Sequence, residues 1–159
     1  VITREKVSVL EVRNLTRQVV LAHRVYPAFT FWKRLKGLLG KKNFFPGEGL
    51  LLKPCAAVHS WFMSFPFDVI FLDEGLVVVH IIESMPPFRI SPVIRKAQAV
   101  LELPAGVISC SGTRVGDQLG VSYSSSGEGF SLLGLKNFLN RGLKFRNSCS
   151  LGVIFEVVR

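Results

Sequence analysis

Three observations predict a mainly β (α+β) fold, a small antiparallel β-barrel or curled sheet with one early amphipathic helix packed on it. The chain is dominated by short β-branched and aromatic runs, "GLLL", "FDVIFLD", "LVVVHII" and "AVLELPAG". Turn clusters rich in Gly, Pro and Asp separate these runs, so the segments are of strand length rather than helix length. One early segment, "PAFTFWKRLKGLLGKK", repeats its apolar residues at helical spacing instead.

Taken in order, "VSVLEV" and "VVLAHRV" read as two strands of a hairpin, with Asn14 suited to the turn between them. In the helical segment Ala28, Phe31/Trp32, Leu35 and Leu38/Leu39 form the apolar stripe. Thr30 can cap its start and Gly40 its end, while Lys33, Arg34 and Lys36 stand off the stripe on a solvated face. "FPGEG" is a turn. "FLDEGLV" is a hairpin bend at Asp73, Glu74 and Gly75. The proline-rich "ESMPPFRISPV" suits neither strand nor helix and reads as a surface connection. "GTRVGDQLGVSY" returns to strand, "SSSGEG" is a loop, a second, weaker helix runs through "SLLGLKNFLNRGL", and "LGVIFEVV" is a closing strand.

A chain of 159 residues fits a single domain, 1–159, able to bury a core without disulfides or a structural metal. No apolar run reaches the eighteen or so residues of a membrane span, because Pro66, Asp68 and His80 interrupt the longest candidates. "VITREKVSVLEVRN" carries charges where a secretory leader would be apolar, although a leader already removed would leave no trace. With three cysteines, Cys55, Cys110 and Cys149, in no framework spacing, this points to reduced thiols and a cytoplasmic location.

The net charge of +9 is unevenly spread. Residues 1–47 hold ten Lys/Arg against two Glu, residues 48–130 five against eight acids, and residues 131–159 five against one. Basic ends on a mildly acidic centre imply weak attraction to anionic surfaces rather than specific nucleic-acid binding, which favours a basic stripe with exposed aromatics beside it. In the tail, Leu132, Leu135, Phe138/Leu139 and Leu143 follow helical spacing beside Lys136, Arg141, Lys144 and Arg146. That pattern suits an anionic membrane surface, or a face packed on the domain; Gly134 and Gly142 weaken a free-standing helix and favour packing.

Several blocks occur in order: Arg34 with "GLLG", "GEGLLLKPC", "VHSWFMSFPFDVIFLDEG", "VVV", "AVLELPAG" and "VGDQLGV". The series resembles the uncharacterised protein family 0127, also called domain of unknown function 192, over roughly residues 28–121. The early hairpin and the extension 130–159 lie outside it. Within that family the chain is similar to the branch with Pro-Cys and His-Ser/Thr before a methionine, here Pro54, Cys55, His59, Ser60 and Met63. The resemblance implies a small, mostly β domain of bacterial or archaeal type. It implies no reaction.

Candidate site residues concentrate in "KPCAAVHSWFMSFPFDVIFLDE". Cys55, His59 and Met63 are spaced by four, which predicts that they face one way. As a strand the four residues span roughly 13 Å, too far for a thiolate–imidazole pair; one helical turn brings them to about 6 Å. The plain reading makes Cys55 a small buried hydrophobe, His59 a hydrogen-bonded edge residue and Met63 core filler. The sharper reading makes Cys55, His59, Ser60, Met63, Asp68 and Arg34 the lining of a pocket for a small polar ligand.

Cys55 and His59 are also the candidates for a nucleophile and base in a hydrolase or transferase, although no nucleophile-elbow glycines accompany them. A third reading is a scaffold that attaches to a membrane or acidic partner through its basic ends. No cofactor is called for. A zinc site would need His80, Cys110, Asp68 or Asp117 to join Cys55 and His59, and none is assigned. Asp68, inside "FPFDVIFL", needs a partner, and Arg34 is the first choice; Glu102 in "LELPAG" poses the same problem. Asp117 in "GDQL" suits a turn contact.

Overall fold

In the computed structural model of the protein, residues 9–28, 44–61 and 63–123 are described. They form seven strands: β1 (Leu10–Asn14), β2 (Val19–Ala28), β3 (Glu48–Leu52), β4 (Phe67–Leu72), β5 (Val78–Met85), β6 (Ala99–Pro104) and β7 (Leu119–Tyr123). One short helix, α1 (Val107–Ser111), lies between β6 and β7. The predicted helix around residues 30–39, with Arg34, lies outside the described residues. So do the tail helix and the closing strand.

The strands make one sheet in the order β5-β4-β6-β3-β2-β1-β7, antiparallel at every joint except β2–β3, which is parallel. The expected hairpins at 15–18 and 73–77 are both present; in the second, Asp73 Oδ1 accepts the Val77 N–H at 2.9 Å. The sheet curls into a half-barrel. Its two edge strands meet at one end, where Val78 N–H donates to Asp117 O, Gly116 N–H to Val78 O and Leu119 N–H to Leu76 O.

Helix α1 was not legible as a helix, because "GVISCSG" is only five residues between two glycines. Gly106 and Gly112 hold φ of 92° and 65°, left-handed values that glycine adopts without a Cβ penalty, and so they bracket the turn.

β3, β4 and β6 occupy the middle of the sheet and are buried on both faces, which explains why they read as continuous apolar runs rather than alternating ones. Two cores result. The concave face gathers Leu10, Val25, Leu51, Ile70, Leu101 and Leu119 among others. The outer face gathers Leu50, Leu52, Phe67, Val69, Phe71 and Val100.

The outer core needs a cover, and two long connections supply it. β3 ends at Leu52, opposite Val100 at the start of β6, whereas β4 begins at Phe67, opposite Pro104 at its end. Residues 53–66 must therefore run the length of β6 across the outer face. Residues 86–98 run back across it from Met85 to Ala99. The two crossovers pair with each other: Ile94 N–H donates to Ala56 O, Ser91 N–H to Val58 O and Phe88 N–H to Ser60 O, each at 2.8–2.9 Å. Val58, Met63, Ile94 and Ala97 face down from them into the outer core. The proline-rich stretch, read as a bare surface connection, is thus half of a lid.

Candidate functional site

The lid carries most of the residues singled out from the sequence, and its backbone decides which way each one points. Val58 is buried, His59 exposed, Ser60 buried and Trp61 exposed, a strand-like alternation imposed by the pairing with residues 86–94. The chain then turns at Trp61 and brings Met63 back under the lid at 6% exposure. The expectation that Cys55, His59 and Met63 share one face is therefore overturned: spacing by four keeps a face only along a regular element, and this segment bends within it. Cys55 packs against the outer core and its Sγ donates to Ala57 O at 3.1 Å. The His59 ring is turned outward, and His59 forms a bridge with Ile90.

Ser60 is wholly buried and ties the lid together. Its Oγ donates to Pro86 O at 2.6 Å and accepts the Arg89 N–H at 2.9 Å. These bonds engage the hydroxyl both as donor and as acceptor.

Asp68 is also wholly buried, but on the concave side. Phe67, Val69 and Phe71 of β4 belong to the outer core and Ile70 and Leu72 to the concave one, so alternation sends Asp68 away from the lid. There Oδ1 accepts the Ser84 N–H at 2.8 Å and Oδ2 the Ile108 N–H at 2.7 Å. The carboxylate holds α1 against β4 and a left-handed residue, Ser84 at φ 48°, in β5. Its partners among the described residues are backbone amides; Arg34, the partner expected, lies outside them. Asp68 is thus separated from Cys55 and His59 by the thickness of the sheet.

Glu102 is the acid that does face the lid. In register across five strands, Tyr26, Leu50, Glu102, Val69 and Ile82 form one row on the outer face. Glu102 is the polar member in the middle, 5% exposed, and no hydrogen bond or ion pair reaches its carboxyl from the described residues. Desolvation by its apolar neighbours pushes its pKa up to about 8, so the group is predominantly a neutral carboxylic acid at pH 7. The 53–66 crossover passes over the strand that carries it.

A second polar cluster lies where the half-barrel closes. Asp117 Oδ2 accepts from Asn14 Nδ2 at 2.9 Å, Arg17 Nε at 2.9 Å and the Arg114 N–H at 3.0 Å. Asn14 Nδ2 also donates to Thr113 Oγ1. Burial pushes the Asp117 carboxyl up, but the hydrogen bonds from Arg17, Asn14 and Arg114, with the Arg17 charge, outweigh it and hold the group below its ordinary 3.8. The turn contact expected of Asp117 is present in the Arg114 bond. Its partners Asn14 and Arg17, about a hundred residues away in the chain, carry no local signal.

The other metal-ligand candidates are dispersed. His80 packs against the Phe71 ring at 5.6 Å between centroids, and Cys110 is exposed on α1. No group of three or more His, Cys, Asp or Glu among the described residues is arranged to hold a metal ion. No helix among them is long and apolar enough to cross a membrane.

The family model DUF192, described as an uncharacterised ACR, matches residues 12–121. A UPF0127 protein of Thermococcus sibiricus is 34% identical over 113 residues, 67% of this chain and 71% of that protein. Another, of Pyrococcus furiosus, is 32% identical over 109 residues, 67% of this chain and 93% of that one. Among solved structures, a protein of unknown function from Novosphingobium aromaticivorans aligns with a TM-score of 0.62 at 22% identity, over 75% of this chain and 89% of that one. A putative transcription regulator from Sinorhizobium meliloti aligns at 0.59 and 24%, over 70% and 91%. At such identities these two likenesses speak to the fold alone.

Proposed function

We propose, for a chain that belongs to the DUF192 family, a role as a binding module that takes a small polar ligand on its outer face, beneath the paired crossovers and against Glu102. One observation carries this reading: a carboxyl group in the middle of the outer-face row, only 5% exposed and hydrogen-bonded to none of the described residues, whose oxygens are not fully sealed from solvent. Burying such a group costs free energy unless something supplies its hydrogen bonds. A neutral acid offers one donor and one acceptor side by side, which matches a primary amide or another carboxylic acid.

The reading keeps the lid segment from Cys55 to Met63 as the cover of the site and moves the polar contact from Asp68, whose oxygens are engaged by backbone amides, to Glu102. The nucleophile–base alternative has less support. Cys55 faces the core with its thiol donating to a carbonyl, while His59 faces outward.

Acetamide titrated into the isotope-labelled full chain at about pH 6, well below the Glu102 pKa, tests the proposal by NMR. Saturable shifts are expected at the amides of Leu50, Val69 and Glu102 and along the 56–61 crossover. Glu102→Leu should abolish them. Shifts that persist in that variant, or none in the native chain, would sink the proposal.

A further inference from the structure

We propose that the outward surface of the paired crossovers is a docking surface for an anionic lipid bilayer. The His59–Ile90 bridge, with Val58, Ser60 and Ser91 buried beneath it, leaves His59 and Trp61 of one crossover and Phe88, Arg89 and Ile90 of the other exposed. Trp61 is 47% exposed, Phe88 65%, Ile90 67% and, just beyond, Val93 70%. Four of the seven large apolar side chains exposed among the described residues thus fall on these two short segments. Scattered exposed apolar residues need no explanation, but a cluster does.

Phe88 is held out at a structural cost. Its backbone is left-handed, φ 58°, a conformation disfavoured for a bulky side chain, and Ser60 maintains it by accepting the Phe88 N–H on its carbonyl and the Arg89 N–H on its hydroxyl.

Charge complementarity selects the occupant. Neither 53–66 nor 86–98 contains an Asp or Glu, while they carry Lys53, Arg89, Arg95 and Lys96. Arg89, Arg95 and Lys96 are exposed, and no ion pair among the described residues involves them. Glu83, on β5, is the nearest exposed acid along the chain; Asp68, nearer in sequence, is buried on the concave face. A second copy of the chain docking face to face would set these cations against themselves. A single-stranded nucleic acid would find two stacking rings, but Ile90 and Val93 have no π-face to offer it. A bilayer surface uses every part: the apolar side chains enter the boundary between headgroups and acyl chains, the Trp61 indole sits at the interface, and the cations meet lipid phosphates.

The surface is distinct from the basic ends of the chain and independent of any ligand at Glu102. Co-sedimentation of the full chain with vesicles of phosphatidylcholine, alone or with a quarter phosphatidylglycerol, tests it. Binding is expected to the anionic vesicles, weakening as salt rises. It should fall about tenfold or more in the double variant Trp61→Ser/Phe88→Ser, since burial of those rings supplies the apolar part. It should also fall in Arg89→Gln/Arg95→Gln/Lys96→Gln, with circular dichroism confirming that both variants are folded.

Equal binding to neutral vesicles overturns the proposal, as does wild-type binding by both folded variants. Loss of binding only when Lys136, Arg141, Lys144 and Arg146 are changed to glutamine assigns the effect to the tail and overturns it too. So does failure to bind any vesicle, whether or not the chain then binds a single-stranded oligonucleotide or self-associates through Trp61 and Phe88.

Discussion

A carboxyl group set between Leu50 and Val69 must give up either its charge or its burial, and Glu102 gives up its charge. The consequence for stability has a definite sign. Because the folded pKa, about 8, lies above the ordinary 4.5, the native state holds a proton that the unfolded chain releases between those values. Stability therefore falls as pH rises through that window, by about 3 kcal/mol between pH 4.5 and 7, and levels off above about pH 8. Glu102→Gln, neutral at every pH, should remove this slope; urea midpoints measured across the window check it. At Gly49 the constraint is steric. A Cβ there would lie 2.9 Å from Val25 Cγ2 and 3.3 Å from Leu103 Cδ2, both in the concave core. Gly49→Ala should destabilise by about 1–3 kcal/mol in denaturant unfolding, as overpacking does.

Elements are joined here by buried side chains that bond to backbone. Asp68 connects β4 to β5 and to α1, a helix too short to hold itself. Asp68→Ala leaves the buried Ile108 N–H and the Ser84 N–H without their acceptor, so a loss of about 2–4 kcal/mol is expected, with faster amide exchange concentrated at 107–111 and around 84. Ser60 does the same for the lid. Ser60→Ala should cost about 1–3 kcal/mol and raise exchange at Phe88 and Arg89 while leaving β1 and β2 protected. These contacts also show why local reading misplaced some residues. Asp68 was correctly expected to need a partner; what the segment could not reveal is that a one-residue alternation along β4 sends it to the concave face. Spacing by four in "CAAVHSWFM" was likewise uninformative once the chain turned at Trp61.

At the scale of the molecule, two features oppose each other with pH. Asp117, held below 3.8 by Arg17, Asn14 and Arg114, contributes stability that is present above its unfolded pKa and lost as pH falls through the folded value. Glu102 contributes a cost that grows from about pH 4.5 to 8. Between them they place the best stability on the mildly acidic side, far from the pI near 10.0. A thermal melt series should show its maximum at about pH 4–5 in the native chain and a broad plateau above that in Glu102→Gln. Asn14→Ala should lower stability at neutral pH and shrink the acid loss, because it removes a donor that holds the Asp117 carboxyl down and so brings its folded pKa back toward the ordinary value.

What the sequence by itself determined is the β character, the two hairpins and the family. The β character and the hairpins follow from β-branched and aromatic runs and the turn residues between them, and the family from the resemblance of its ordered motif blocks, all read from neighbours along the chain. Only the tertiary structure decided which acid faces which core, and it did so through sheet order. Because β6 lies between β3 and β4, the connection 53–66 must cross the outer face over Glu102, and residues 86–98 must return beside it. Pairing of those two crossovers then sorts "VHSW" into buried and exposed residues, and the curl of the sheet brings Asn14 to Asp117. Strand order and curl are set by contacts between segments far apart in the chain. No window of sequence contains them.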